Sequence, residues 1–555
     1  MVDQARSSTA LRLCALGLLA STTLGYTWPD ERIDVLESIL YQQNGFRQYG
    51  LAGGVFPCNS NANALETGRD DSAEWFRTAY HDMATADVVS GVGGLDASVG
   101  FETARDENRG KAINESLGFF IGFTSPRSSM ADLIALGAQL SVGSCSDGKV
   151  DIPFRGGRVD ATGAGVAGVP TPEQELATHT SIFERQGFNS TEMIGLVACG
   201  HTLGGVHGSN FPEIVPELND PENNASRHNF DESFDKFDNS VAKQFVANTT
   251  QNPLAFGHNE TTRSDFRIFT SDGGEMIHRM AESEDFFFET CTTLLERMLN
   301  TVPAGVELTD VITPIPIKPY ALDINILSNG TMSIGGEIRI LEDGTTSSSR
   351  EVLIHMVDRS GATVAEPIAA QTTDGLQVSG LYGNMPSFTT YQFSANVLVS
   401  QGISAFNVEI KDGNTAILEK NGGQGFPFSD TIVPMSSDTC YGLTFEDTPS
   451  GSKSNNTLRV TAAVRDDWQA DEVQLTVPQP INMPNTLAAR FEEKKVQMTR
   501  SQSLNRTGYS LYTGSFQYIV NDVGPMKTFD LSALGPKGTA SNTFLRWTDF
   551  GFCQS

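Results

Sequence analysis

Apolar residues recur at helical spacing in five stretches of the first 300 positions: Ser72–Met83, Met130–Val142, Pro172–Gln186, Ser190–Leu203 and Glu284–Leu299. Each predicts a helix. The third opens Pro170-Thr171-Pro172, which sets Thr171 as its N-cap and Pro172 as its first helical residue. After Thr301 the pattern changes. Residues 303–319, ending Thr313-Pro-Ile-Pro-Ile-Lys-Pro319, read as a linker. Beyond them apolar and polar positions alternate, which predicts strands at Met332–Leu341, Glu351–Val357, Tyr391–Val399, Ala405–Ile410, Leu458–Val464, Glu472–Val477 and Ser515–Val520. The expected architecture is multidomain, as a chain of 555 residues requires more than one core. A mostly α-helical domain over 26–302 is followed by a linker and a β-sandwich over 320–555 with no obvious catalytic cluster. The chain has no internal repeat, and Thr345–Ser349 is a loop.

The chemistry lies in the helical part. Arg77 and His81 are four apart, which on a helix sets guanidinium and imidazole on one face, one turn apart. So placed, His81 can take a proton from hydrogen peroxide and return it to the departing oxygen, while Arg77 stabilises the charge developing there. His201, in Ala198-Cys-Gly-His-Thr-Leu-Gly-Gly205, would bind a haem iron from the other side. Taken alone, each histidine reads more readily as a satisfied core residue; the flanking residues overturn that reading.

Those flanks are Arg77-x-x-Tyr80-His81-Asp82, Gly200-His-Thr-Leu-Gly204, and, between them, Glu102-Thr-Ala-Arg-Asp-Glu-Asn108-Arg-Gly110. Together they resemble the plant, fungal and bacterial haem peroxidase superfamily from about Asp70 to Val302, closest to its secreted fungal class. The resemblance implies haem b as cofactor and His201 as its axial ligand. It also implies that Asn108 accepts a hydrogen bond from His81, which fixes the tautomer that leaves the other ring nitrogen free as a base. Asp272, in Phe266-Arg-Ile-Phe-Thr-Ser-Asp272, would be the buried carboxylate behind the proximal histidine, with one residue inserted, and would make the iron-bound imidazole more electron-rich. The alternative for Asp272 is a polar turn before Gly273-Gly274. Phe230 would pack on the proximal imidazole, and Tyr80 would cover the haem where secreted members carry Phe. His207 would lie near a propionate, a feature of the intracellular class, so the chain has mixed character. Leu196 stands where lignin-oxidising members expose a Trp.

The same resemblance implies two Ca²⁺ sites, and a hard cation does need several converging oxygens. Asp82, Gly94, Asp96 and Ser98 would form the distal one; Thr202, Asp231, Ser233, Lys236 through its carbonyl, and Asp238 the proximal one. The plain alternative is a pair of acidic, solvated loops. Manganese-oxidising members use three acids near a propionate, and the matching positions here are Asp70, Glu74 and His207. Two acids in a first helical turn also favour its positive end whatever they bind. An imidazole suits Mn²⁺ less than a carboxylate does, so manganese oxidation is expected to be weak and His207→Asp to raise it.

Composition bears on compartment and partners. Arg6 and Arg12, the apolar run Leu13–Ala20, and small residues at Thr23 and Gly25 read as a cleavable signal peptide over 1–25. Glycosylation sequons begin at Asn114, Asn189, Asn224, Asn248, Asn259, Asn329, Asn455 and Asn505. Without Cys14 six cysteines remain, a number that permits complete pairing in an oxidising compartment. The resemblance favours Cys58–Cys145; Cys440 and Cys553 would close the C-terminal domain, leaving Cys199 and Cys291 as a pair or as two buried thiols. A net charge of −29 opposes binding to nucleic acid or anionic membranes. Hydrogen peroxide and small organic, phenol-like reductants are the expected partners of a secreted, extracellular monomer. The β-rich domain would contact polysaccharide or cell wall through Tyr382, Tyr391, Trp468 or Trp547, or else pack on the peroxidase part. The rival reading is an extracellular haem- or calcium-binding structural protein with weak activity.

Overall fold

The computed structural model describes residues 26–553 apart from 63–65, 343–349, 365, 374, 384, 449–450, 482, 484–485, 488–489, 503–505 and 521–524. The leader reading over 1–25, the Thr345–Ser349 loop and the sequon at Asn505 lie outside the described residues. The described helices are α1 (Asp34–Tyr41), α2 (Asp71–Met83), α3 (Ala112–Phe120), α4 (Met130–Cys145), α5 (Leu176–Arg185), α6 (Ser190–Gly200), α7 (Ser240–Val246), α8 (Pro253–Phe256), α9 (Ser264–Phe269), α10 (Glu275–Glu282) and α11 (Glu284–Leu299).

Every residue of α4 is buried, which makes it the centre of this part, and α2 packs along it. It starts where Ser129 accepts the amide hydrogen of Asp132 at 3.0 Å. α6 opens on a reciprocal cap: Asn189 accepts from the Glu192 amide, and the Glu192 carboxylate accepts from the Asn189 amide. Trp75, Phe120, Leu136, Ile194, Phe287 and Leu295 fill the space between these helices. A large apolar side chain buried in this way contributes roughly 1.5–3 kcal/mol. Cys58–Cys145 and Cys199–Cys291 are disulfides within the helical part, so the second is a pair and not two thiols. α5 departs from its expected start, beginning at Leu176 and not at Pro172. Pro170 and Pro172 bias Val169 and Thr171 away from helical backbone, and the turn they enter, closed by the Gln174 amide on the Thr171 carbonyl, serves the cavity described below.

The β-rich part contains two sandwiches where the alternation pattern suggested one. In the first, a sheet ordered Asn44–Gly45, Gln377–Ser379, Ser387–Leu398, Thr331–Glu342, Ile317–Ile326 faces one built on Glu351–Val357 and Ala405–Asp412. Ile334, Ile338, Ile354, Phe393, Phe406 and Val408 form the core between them. In the second, Gly451–Arg465 and Tyr509–Val520 face Glu472–Ile481 and Thr528–Gly535 over Leu458, Val460, Leu475, Tyr518, Phe529 and Leu531. Cys440–Cys553 is a disulfide within this second unit.

The β-rich part is fastened to the helical part. Asn44–Gly45, from the helical part, supplies an edge strand to the first sheet. Glu37 of α1 is fully buried and pairs with Lys318, at 2.8 Å, and with Arg339, both also buried. Nearer the N-terminus, the Trp28 amide donates to Asn421 Oδ1 and its carbonyl accepts from Asn421 Nδ2, each at 2.7 Å, while its ring leans on Phe426. The expected linker is packed as well: the amides of Thr309 and Ile312 donate to Gly156 and Phe154, and a strand begins at Ile317. Tyr382, Tyr391 and Trp547 are buried, and the half-buried Trp468 donates its indole N–H to Ala533. These rings serve as packing and do not make the exposed polysaccharide platform considered for them.

Candidate haem site

One cavity of about 1000 Å³ gathers Arg77, Tyr80 and His81 from α2, His201 from the end of α6, and His207 and Phe230 from the segment after it. The i,i+4 spacing in α2 delivers Arg77 and His81 to this cavity together. His81 Nδ1 is 2.6 Å from Asn108 Oδ1, and Asn108 Nδ2 donates to the Glu102 carbonyl at 3.0 Å. With its amide nitrogen so committed, Asn108 turns only its oxygen to the imidazole, so Nδ1 carries the hydrogen and Nε2 is bare. Burial, then the Arg77 charge, pull the His81 imidazole down to about 3 against the upward pull of the Asn108 bond. Burial also lowers Arg77 to about 10, which leaves it charged at neutral pH. The Tyr80 ring lies near Phe183, at 6.2 Å between centroids, and burial pushes its phenol well above the ordinary range.

His201 is stacked on Phe230, with ring centroids 4.4 Å apart and planes 16° from parallel. Its Nδ1 is 2.8 Å from Asp265 Oδ2, which also accepts from Asn252 at 2.7 Å. The carboxylate behind this histidine is therefore Asp265 and not Asp272. Asp272 caps α10 instead, accepting the amide hydrogens of Gly274 and Met276 at 2.8 and 2.9 Å. The signal for Asp265 was its place at the start of a short apolar helix, Ser264-Asp-Phe-Arg-Ile-Phe269, where a buried acid requires a partner. Asp272 precedes two glycines, the ordinary setting of a polar turn.

The calcium candidates are gathered in two groups. Asp82 accepts from the amides of Ala97 and Val99 at 2.7 and 2.9 Å, and burial together with the Asp96 charge raises its carboxyl well above the usual range. The Ser98 hydroxyl is buried near Asp96 and Glu102 without a well-aligned partner. Gly94, at φ 116°, has no room for a side chain, since a Cβ would come 2.7 Å from the Thr301 carbonyl oxygen. On the proximal side, Asp231 Oδ2 is buried with no hydrogen-bond partner, and burial with the neighbouring Asp238 charge pushes Asp231 up to about 7. Thr202 donates to the Asp238 carbonyl, Ser233 to the Asp238 carboxylate, and the Lys236 amide to the Ser233 carbonyl. Unpaired buried oxygens and mutually repelling carboxylates fit a bound cation. Among the described residues no three His, Cys, Asp or Glu side chains converge on a metal position by themselves, so carbonyls and hydroxyls would have to complete each shell.

The manganese candidates are not an open site. Glu74 is held in a two-bond pair by Arg69, at 2.6 Å for each contact, and Asp70 pairs with Arg227. A cation would have to displace two guanidiniums. Restoring an acid at position 207 would leave both pairs in place, so His207→Asp loses its reason to raise manganese oxidation. Burial, with Arg227, Arg69 and Arg77 nearby, brings His207 down to about 4.

A buried base beside a guanidinium, and a second histidine backed by a carboxylate, share one cavity in the manner of a haem-binding peroxidase. The profile of the peroxidase family matches residues 59–283. A WSC domain-containing protein of Arthroderma benhamiae is 39% identical over 391 residues, covering 69% of this chain and 52% of its own length, so the chain spans about half of that relative. An Arabidopsis thaliana protein provisionally named L-ascorbate peroxidase 6 is 24% identical over 46% of this chain and 71% of its own length. Peroxidase 36 of the same plant is 26% identical over 44% and 77%. Residues 59–283 of this chain belong to the haem peroxidase superfamily.

Proposed function

We propose that this protein is a secreted haem peroxidase that uses hydrogen peroxide to oxidise small phenol-like donors by one-electron steps. The observation that carries the reading is the coexistence, in one cavity, of His81 bonded to Asn108 and His201 bonded to Asp265. Bound haem b would supply the redox chemistry, oxidised by peroxide and returned to rest by two single-electron donations. His201 would hold the iron through Nε2, oriented by Asp265 and Phe230. His81 Nε2 would take the peroxide proton and deliver it to the departing oxygen, with Arg77 stabilising the charge that develops.

The test is a donor panel on the haem-loaded protein with hydrogen peroxide, covering phenols, Mn²⁺, ascorbate, cytochrome c and veratryl alcohol. Phenol turnover is expected; a haem-loaded protein that does not consume peroxide defeats the reading. Asp265→Ala is expected to weaken haem retention by about 10–100-fold, the usual cost of losing a ligand's hydrogen-bond partner. Asp272→Ala should cost only the cap of α10, about 1 kcal/mol, and leave haem retention unchanged. Equal effects of the two substitutions on a haem titration would restore Asp272.

Calcium at the two oxygen-lined groups would neutralise Asp82 beside His81 and Asp231 and Asp238 near His201. Chelation is expected to lower activity and change the haem spectrum; elemental analysis finding no calcium in fully active protein would remove this part. The acidic charge, the disulfides and the sequons support an exported glycoprotein. For the β-rich part, the fastened interface supports a module that stabilises the peroxidase part. Likeness to a WSC domain-containing protein supports cell-wall contact as the second reading.

A further inference from the structure

The segment Val169-Pro-Thr-Pro-Glu173 lines the cavity at every residue, and Glu173 is exposed, so the segment runs from the interior to the mouth. It has no regular secondary structure and ends in one turn, in which the Gln174 amide donates to the Thr171 carbonyl at 3.1 Å and the Thr171 amide to Gln174 Oε1 at 3.0 Å. Two side chains from other elements hold that turn in place. His179 of α5 bonds through Nε2 to the Thr171 carbonyl at 2.9 Å. Arg267 of α9 donates through Nη2 to the carbonyls of Pro172 and, at 2.9 Å, Gln174.

Both side chains also carry an unused polar atom. His179 is 1% exposed, and its Nδ1 is buried without a partner; Arg267 Nε is likewise buried without one. These orphans are complementary. Since a carbonyl only accepts, His179 must carry its hydrogen on Nε2, which leaves Nδ1 a bare acceptor, whereas Arg267 Nε always carries a hydrogen. The two side chains reach neighbouring carbonyls of one turn, His179 that of Thr171 and Arg267 that of Pro172, which brings them side by side. Leaving a buried donor and a buried acceptor unpaired is costly, and one water between them would satisfy both.

Resting on the peroxidase reading above, we propose that His179 and Arg267 are positioning residues that share an ordered water and thereby set the shape of the cavity wall against which an aromatic donor lies. The wall offers the flat apolar faces of Pro170 and Pro172 and, at the mouth, the Thr171 hydroxyl donating to the Glu173 carboxylate at 2.7 Å. That pairing suits a hydroxylated aromatic ring. A small inorganic donor such as iodide has no need of it.

A crystal structure of the haem-loaded protein is expected to hold one water bonded to both His179 Nδ1 and Arg267 Nε; a site without that water overturns the proposal. Kinetically, His179→Leu should raise KM for guaiacol about tenfold, the equivalent of one lost hydrogen bond. It should leave the bimolecular rate with hydrogen peroxide and the KM for iodide unchanged. His179→Gln, which keeps one donor and one acceptor, should bring the guaiacol KM back to within about twofold. Arg267→Met serves as the second probe should His179→Leu fail to bind haem, with the same split expected. Guaiacol and iodide shifting together, or neither shifting, overturns the proposal. A haem-loaded protein inert to peroxide would defeat the peroxidase reading, and the crystallographic water would still decide whether the clamp exists.

Discussion

His81→Ala slows the reaction of the haem-loaded protein with hydrogen peroxide by at least the ~10²–10⁴-fold that a positioned acid–base group supplies. The size follows from the surroundings of the imidazole. Burial and Arg77 keep it unprotonated far below neutral pH, and Asn108 directs Nδ1 away from the reaction. Arg77, one turn away on the same helix, is a cation at neutral pH and cannot accept the proton in its place. Haem binding is expected to survive, because the proposed axial ligand is His201 on the other side of the cavity. Stopped-flow rates close to those of the unmodified protein, with an intact haem spectrum, would show that His81 is not the base.

Glu37→Ala costs about 3–5 kcal/mol, the penalty for removing one partner of a buried ion cluster. Arg339 loses its carboxylate partner, Lys318 is left with the Asp34 charge alone, and the Ile315 amide loses its acceptor at 3.0 Å. The measurement is the denaturant midpoint of the full chain, with limited proteolysis between residues 303 and 316 as a second readout. A midpoint unmoved by the substitution would show that the cluster contributes nothing to the union of the two parts. The pH dependence has a definite sign. Burial pushes the Glu37 carboxyl up, but Arg339 and Lys318 outweigh it and hold the group below its ordinary value. Its contribution is therefore present above the unfolded value of about 4.3 and is lost as pH falls through the folded one.

Much of the candidate haem site was legible because it is written locally. Arg77 and His81 are one turn apart, and the distal asparagine and proximal histidine have distinctive neighbours. The strands at Glu351–Val357 and Glu472–Ile481 were equally visible, since alternation needs only a few adjacent residues. What the pattern could not give was which sheets share a core, and two sandwiches present the same period as one. The pairing of Asp70 with Arg227 joins residues 157 positions apart, so acids that looked free for a metal are already neutralised. The Asp272 reading failed for a different reason: two aspartates lie seven positions apart, one opening a short apolar helix and one before a glycine pair, and the motif spacing pointed to the second where burial pointed to the first. At α5, the helical pattern continued through residues whose prolines keep them out of the helix.

Trp28, anchored on Asn421, and Glu37, closed in by Lys318 and Arg339, impose an order on synthesis. A ribosome delivers the N-terminal residues first, and domains ordinarily fold as they emerge. Here α1 cannot reach its final surroundings until some 300 further residues have been added, and Trp28 waits for 393. The part that carries both histidines is made first and completed last. A nascent chain halted before Ile317 would present Glu37 to solvent and lack the sheet edge that receives Asn44–Gly45, a state that cellular quality control can recognise as unfinished.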